Sequence, residues 1–123
     1  MIEWFNKSNK KMLATIYSTN ITINKPGLKK IDGAYAARVG LDKDSSQLVI
    51  KPMSKDEYEK YGKDENLFVF SGGTTYTRIS STDLISFISE FLNINFKIAS
   101  KKYECTYNSS KDYLVVDFTK EVV

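Results

Sequence analysis

The chain has 123 residues, 41% of them hydrophobic and 27% charged, with a net charge of +3, one cysteine and no histidine. That length suits a single domain spanning 1–123, able to bury roughly two thirds of its unfolded surface without staples, and the balance excludes a chain disordered throughout. The missing imidazole excludes a Ser-His-Asp triad and a Cys-His pair, and the lone Cys105 excludes an internal disulfide or a multi-cysteine zinc site.

Eight Tyr and seven Phe favour half-buried sheet surfaces, so the chain is expected to be sheet-rich. The opening "MIEWFNKSNKK" has no apolar stretch of signal-peptide length, and no run reaches the roughly 18 apolar residues of a membrane span. A soluble, cytoplasmic protein with no membrane partner is the expectation. Trp4 and Phe5, ahead of Lys7, Lys10 and Lys11, pair aromatics with cations as base stacking would need, but the preferred reading is a tail whose aromatics dock on the barrel.

From Lys11 to Asn24 two β-branched and aromatic runs flank Ser18-Thr19-Asn20, which predicts two strands joined by a turn or bend. In "KPGLKKI" Pro26 fits the first turn of a short helix and Gly33 its stop. Strands are expected at Tyr35–Leu41 and Gln47–Lys51, with the turn at Asp42–Ser46 and Pro52 ending the second strand. The charged stretch 53–66 reads as a helical turn or linker between two halves.

The second half opens with "LFVFSGG", a strand running into glycines that permit a turn or bulge, and "TTYTRIS" is strand again. Ser80 and Asp83 have capping-box spacing before a helix over about Ser81 to Leu92. Leu84, Phe87, Ile88, Phe91 and Leu92 make one apolar stripe along it, expected to pack on the protein's own sheet. Strand material is predicted to Ala99, followed by a hairpin of Lys102–Tyr107 and Tyr113–Phe118 with its turn at Asn108–Asp112.

The halves repeat one another. Ile23 to Leu28 sits against Ile79 to Leu84 at an offset of 56, and Val39 to Lys51 against Cys105 to Asp117 at an offset of 66, where Asp42 meets Asn108 and Leu48 meets Leu114. Each half reads strand, strand, helix, hairpin, with pseudo-repeats at about 11–52 and 67–118. One such unit leaves half its sheet wet, whereas two facing copies can close a barrel and remove exposed edges.

This organisation resembles the AbrB and MraZ group of swapped-hairpin proteins. The family's "GR-I-x-I-P" run into its helix is echoed by Ile21-Thr22-Ile23 with Lys25-Pro26, and by Thr77-Arg78-Ile79-Ser80. The resemblance implies an α+β fold: duplicated strand-strand-helix-hairpin units forming an AbrB-like swapped-hairpin barrel with pseudo-twofold symmetry. It also implies a DNA-binding, transcription-associated regulator rather than an enzyme, with double-stranded DNA as partner. The carried-over contact residues are Lys25, Lys29 and Lys30 in the first unit, Arg78 in the second, and Arg38 before the first hairpin turn.

Charge is uneven: residues 1–55 hold ten Lys or Arg against four Asp or Glu, and residues 56–123 eight against eleven. A basic half can attract polyanions. The acidic second half and only two arginines also suit a protein-interaction module with no nucleic-acid role, and Tyr-rich walls suit a small-ligand binder if a pocket exists. No cofactor is implied. "DKD" at Asp42–Asp44 and "DEYE" at Asp56–Glu59 read as solvated turns, since they lack the ligand set and glycine of a calcium loop. "SGGTTYTR" lacks the ending of a phosphate loop, and Cys105 reads as a small core residue.

Overall fold

A computed structural model describes residues 1–2, 11–61 and 66–122; the aromatic-basic stretch Trp4 to Lys10 lies outside the described residues. In chain order the elements are β1 (Leu13–Ile16), β2 (Asn20–Asn24), α1 (Lys25–Lys30), β3 (Ala36–Asp42), β4 (Gln47–Met53), α2 (Lys55–Tyr61), β5 (Leu67–Val69), β6 (Ser71–Gly72), β7 (Tyr76–Ser80), α3 (Thr82–Leu92), β8 (Lys101–Asn108) and β9 (Tyr113–Val122). The chain is thus sheet-rich α+β. All pairings are antiparallel, and the nine strands form one sheet in the order β5-β3-β4-β9-β8-β1-β2-β7-β6.

The two outermost strands, β5 and β6, are separated by Phe70 alone. The segment therefore pairs β3 with its first part and β7 with its second, and the sheet curls until it nearly closes into a barrel. Ladders inside each half of the chain (β1·β2, β3·β4, β6·β7, β8·β9) alternate around the sheet with ladders between halves (β1·β8, β2·β7, β3·β5, β4·β9). No pairing joins β5 to β7 among the described residues; there the seam leaves a shallow groove beside Leu67, Phe68 and Ser80.

Strand period sends every second side chain inward. Ala14, Ile16, Ile21, Ile23, Leu48, Ile50, Ile79, Tyr103, Leu114 and Val116 are buried by this alternation. Tyr103 packs edge-on to Phe118 with ring centroids 5.1 Å apart. α3 drops Leu84, Ile85 and Ile88 onto this interior, with Phe96 buried in the loop beyond.

Several expectations change in detail. The α3 cap is Ser81, whose hydroxyl accepts the Leu84 N–H at 3.1 Å, so Ser80 stays in β7 and the Ser80–Asp83 box does not form. Phe87 leaves the apolar stripe and is 45% exposed, while Ile85 takes the buried position. Residues 94–100 form turns rather than strand. Pro52 does not end β4; it stays opposite Ala37, beyond the Gln47–Ile50 stretch that pairs with β9, where a missing N–H breaks no second ladder. α2 is a surface helix with a reciprocal cap: Ser54 N–H donates to Glu57 Oε1 and Glu57 N–H to Ser54 Oγ.

Gly27 shows how tightly α1 is seated. A Cβ built there would lie 2.5 Å from Ile23 Cγ2, whereas at Gly40 it would meet nothing within 4 Å. Gly27→Ala is expected to cost about 1–3 kcal/mol by overpacking, read as a lowered urea midpoint, while Gly40→Ala leaves the midpoint unchanged or slightly raised.

Candidate nucleic-acid interface

The implied contact residues are built from β2, α1 and β7. Asn24 fixes the junction. Its Oδ1 accepts the Leu13 N–H at 3.0 Å and the Gly27 N–H at 3.4 Å, and its Nδ2 donates to the Lys11 carbonyl at 3.0 Å. One side chain thus caps α1 and ties it to the start of β1. Pro26 lies in the first turn of α1, which contains no acidic residue and ends in Lys29-Lys30. Lys25, Lys29 and Lys30 are all exposed, and helical spacing sets Lys25 and Lys29 on one side.

Arg78 comes from the other half of the chain. In the β2·β7 ladder Thr22 stands opposite Arg78 and Asn24 opposite Tyr76. Alternation places Thr22, Asn24, Tyr76 and Arg78 on the outer face, since Ile21, Ile23, Thr77 and Ile79 point inward. Arg78 and Asn24 are diagonal neighbours, roughly 7–8 Å apart. The guanidinium carbon lies 5.3 Å from the Tyr76 ring centroid, and Nη2 donates to the Tyr76 hydroxyl at 3.1 Å. Tyr76 therefore holds Arg78 on the outer face of the sheet and takes one of its five N–H donors.

The structure thus brings Lys25, Lys29 and Lys30 onto one short helix and sets Arg78 beside its start. Arg38 is not part of this group: it lies on β3, opposite Lys51 and Leu67, outside the β2·β7 ladder. Two features of this face escaped the sequence reading. Tyr76 orients Arg78, which its i, i+2 spacing in a strand would have flagged. Lys102 completes a row across five strands, Lys102, Thr15, Thr22, Arg78, Ser71, which only the ladder registers reveal.

Other chemistry is sparse. Among the described residues no group of three or more Cys, Asp or Glu converges on a metal-sized site, and no helix is long and apolar enough to cross a membrane. A cleft of about 480 Å³ lies between the loop after α1, the β4–α2 junction and the β8–β9 turn. Its Glu57 is taken by the α2 cap, and its Asp112 accepts the Tyr107 hydroxyl at 2.5 Å, which raises the Tyr107 pKa. Tyr107 is the single tyrosine lining it, so it is not the Tyr-walled pocket that ligand binding called for. No protein-family model, curated protein or solved structure matches this chain.

Cys105 is buried in β8. Burial pushes its thiol up to about 12 from an ordinary value of 9.0, so the folded protein holds it neutral. Burial, with Glu121 adding to it, also raises Tyr103. A group whose folded pKa is raised stabilises fully below its unfolded pKa and loses that contribution as pH climbs toward the folded value. The urea midpoint is therefore expected to be flat from neutral pH to about 9 and to fall from there toward 12, the Cys105→Ala variant falling less steeply. A thiol reagent should modify Cys105 only at the rate of unfolding.

Proposed function

We propose that this chain is a duplicated swapped-hairpin barrel that binds duplex DNA through Lys25, Lys29, Lys30 and Arg78, acting as a regulator of AbrB or MraZ type. The duplication is supported by the registers. The pairs Thr22↔Arg78 and Val49↔Val115 join residues 56 and 66 apart, and each ladder repeats itself when the halves are exchanged about these pairs: Ile21↔Ile79 becomes Ile23↔Thr77, and Leu48↔Val116 becomes Ile50↔Leu114. The hairpin turns match as well. Asp42 Oδ1 accepts the Ser45 N–H and Asn108 Oδ1 the Lys111 N–H, and Ser46 and Asp112, 66 apart, both adopt positive φ, at 57° and 55°.

The observation that carries the DNA reading is the grouping of three exposed lysines on an acid-free helix beside an arginine preset by Tyr76. Phosphate neutralisation by such a group releases condensed counterions, so affinity falls linearly with salt on logarithmic axes. Fluorescence anisotropy of a labelled duplex should show binding at about 50 mM salt and a slope near −0.9 per phosphate contacted. Lys29→Ala with Lys30→Ala should weaken low-salt binding about tenfold and flatten the slope by about two, and Arg78→Ala by about one. No binding of wild type at low salt overturns the reading. The second reading, a protein-interaction module, is favoured by one feature: Phe87 stands exposed on α3 between Asp83 and Glu90.

A further inference from the structure

We infer that the DNA contact is one-ended: the α1 flank grips phosphates, and the α3 flank holds the duplex off, so that one chain engages half of what its repeated architecture offers. This rests on the reading above and extends it to how the duplex sits. α1 and α3 begin at opposite ends of a single ladder. Asn24, which caps α1, lies opposite Tyr76, and at the other end Ser81, which caps α3, donates its N–H to the Thr19 carbonyl at 3.1 Å. Thr22 and Arg78 lie midway between the caps.

The two flanks have opposite character. The first carries Lys25, Lys29 and Lys30, with Asp32 in the turn just beyond. On the second, Thr82, Asp83, Ser86, Phe87 and Glu90 form the exposed side of α3. Asp83, Phe87 and Glu90, at i, i+4 and i+7, share one face, and the last turn has no basic residue. The first cation after α3 is Lys97, in the following loop, at the rim of a hollow beside Ser86 and Ser89. The first flank thus nets two positive charges and the second, with Lys97 counted, one negative. A duplex laid across the central pair meets attraction at one end and, at the other, the carboxylates of Asp83 and Glu90.

The test is gain of function. Glu90→Lys and the double variant Asp83→Asn, Glu90→Lys leave the core and every proposed contact intact; circular dichroism and thermal melts confirm folding. Binding of a random-sequence duplex of about 20 base pairs is then titrated across salt for wild type, both variants and Lys29→Ala with Lys30→Ala. The inference expects the wild-type slope to be that of about four phosphates, near −3.6, steepened by about one in Glu90→Lys, with affinity several-fold tighter at low salt and tighter again in the double variant. Unchanged slope and affinity in both α3 variants, while the α1 variant loses binding, overturn this inference and leave the DNA reading standing. Wild type that fails to bind, or an α1 variant that binds as wild type does, overturns the reading itself.

Discussion

The fold turns on the register between β2 and β7. This ladder joins the two halves of the chain with Ile21 opposite Ile79 and Ile23 opposite Thr77 inside, and with Thr22 opposite Arg78 outside. A slip of one residue would send the isoleucines to water and Arg78 to the core. Burying an unpaired guanidinium costs far more than any exposed isoleucine, so the register is determined from both faces at once. Neither half can dry its own inner face, because the hairpins β1–β2, β3–β4 and β8–β9 each pair along both outer edges with strands of the opposite half. The interior is therefore a joint property: Ala14 and Ile16 from one half lie one strand away from Tyr103 and Lys101 of the other.

The same interleaving assembles the proposed interface. Arg78 belongs to the second half and Lys25 to the first, and they are neighbours only because β7 runs antiparallel beside β2. Charge distinguishes the two halves that the proposed duplication would make equivalent. The halves match in ladder register and turn geometry but not in the composition of α1 and α3, the elements freest to vary. The core constrains Gly27 and Leu84, while Lys29 and Glu90 answer only to solvent. Surface ion pairs such as Lys11–Glu104, at 3.0 Å, add little to stability, so the surface charges are available to be placed for recognition.

Much of this was legible because local chemistry and fold agree. Pro26 announces the first turn of a helix, and Asp42 and Asn108 announce turns by accepting a backbone N–H three residues on. The misreadings occur where tertiary context overrides a local signal. Pro52 reads as a stop, but it falls where β4 has already lost its second partner. Ser80 has the cap spacing in sequence; β7's pairing with Asn20 claims it and leaves Ser81 to cap α3. Phe87 fits the apolar period, yet the interior beneath α3 is filled by Leu84, Ile85 and Ile88, and a third turn-wide column has no surface to cover. The lysines were legible as charges; that β7 sets Arg78 beside the start of α1, and that Arg38 lies on β3 away from it, depend on sheet order, which lies in no single segment.

A site assembled across halves has a thermodynamic consequence. An anion bridging α1 and Arg78 binds only the folded barrel, because unfolding separates residues some fifty positions apart in sequence. Such a ligand adds RT ln(1 + [L]/Kd) to stability, about 2.7 kcal/mol at a hundredfold excess over Kd. Lysines grouped on α1 alone would behave differently, since a polyanion can also bind a short basic peptide in the unfolded chain and so forfeit part of that gain. On the proposed reading, Arg78 rather than the α1 lysines ties charge recognition to the completed fold.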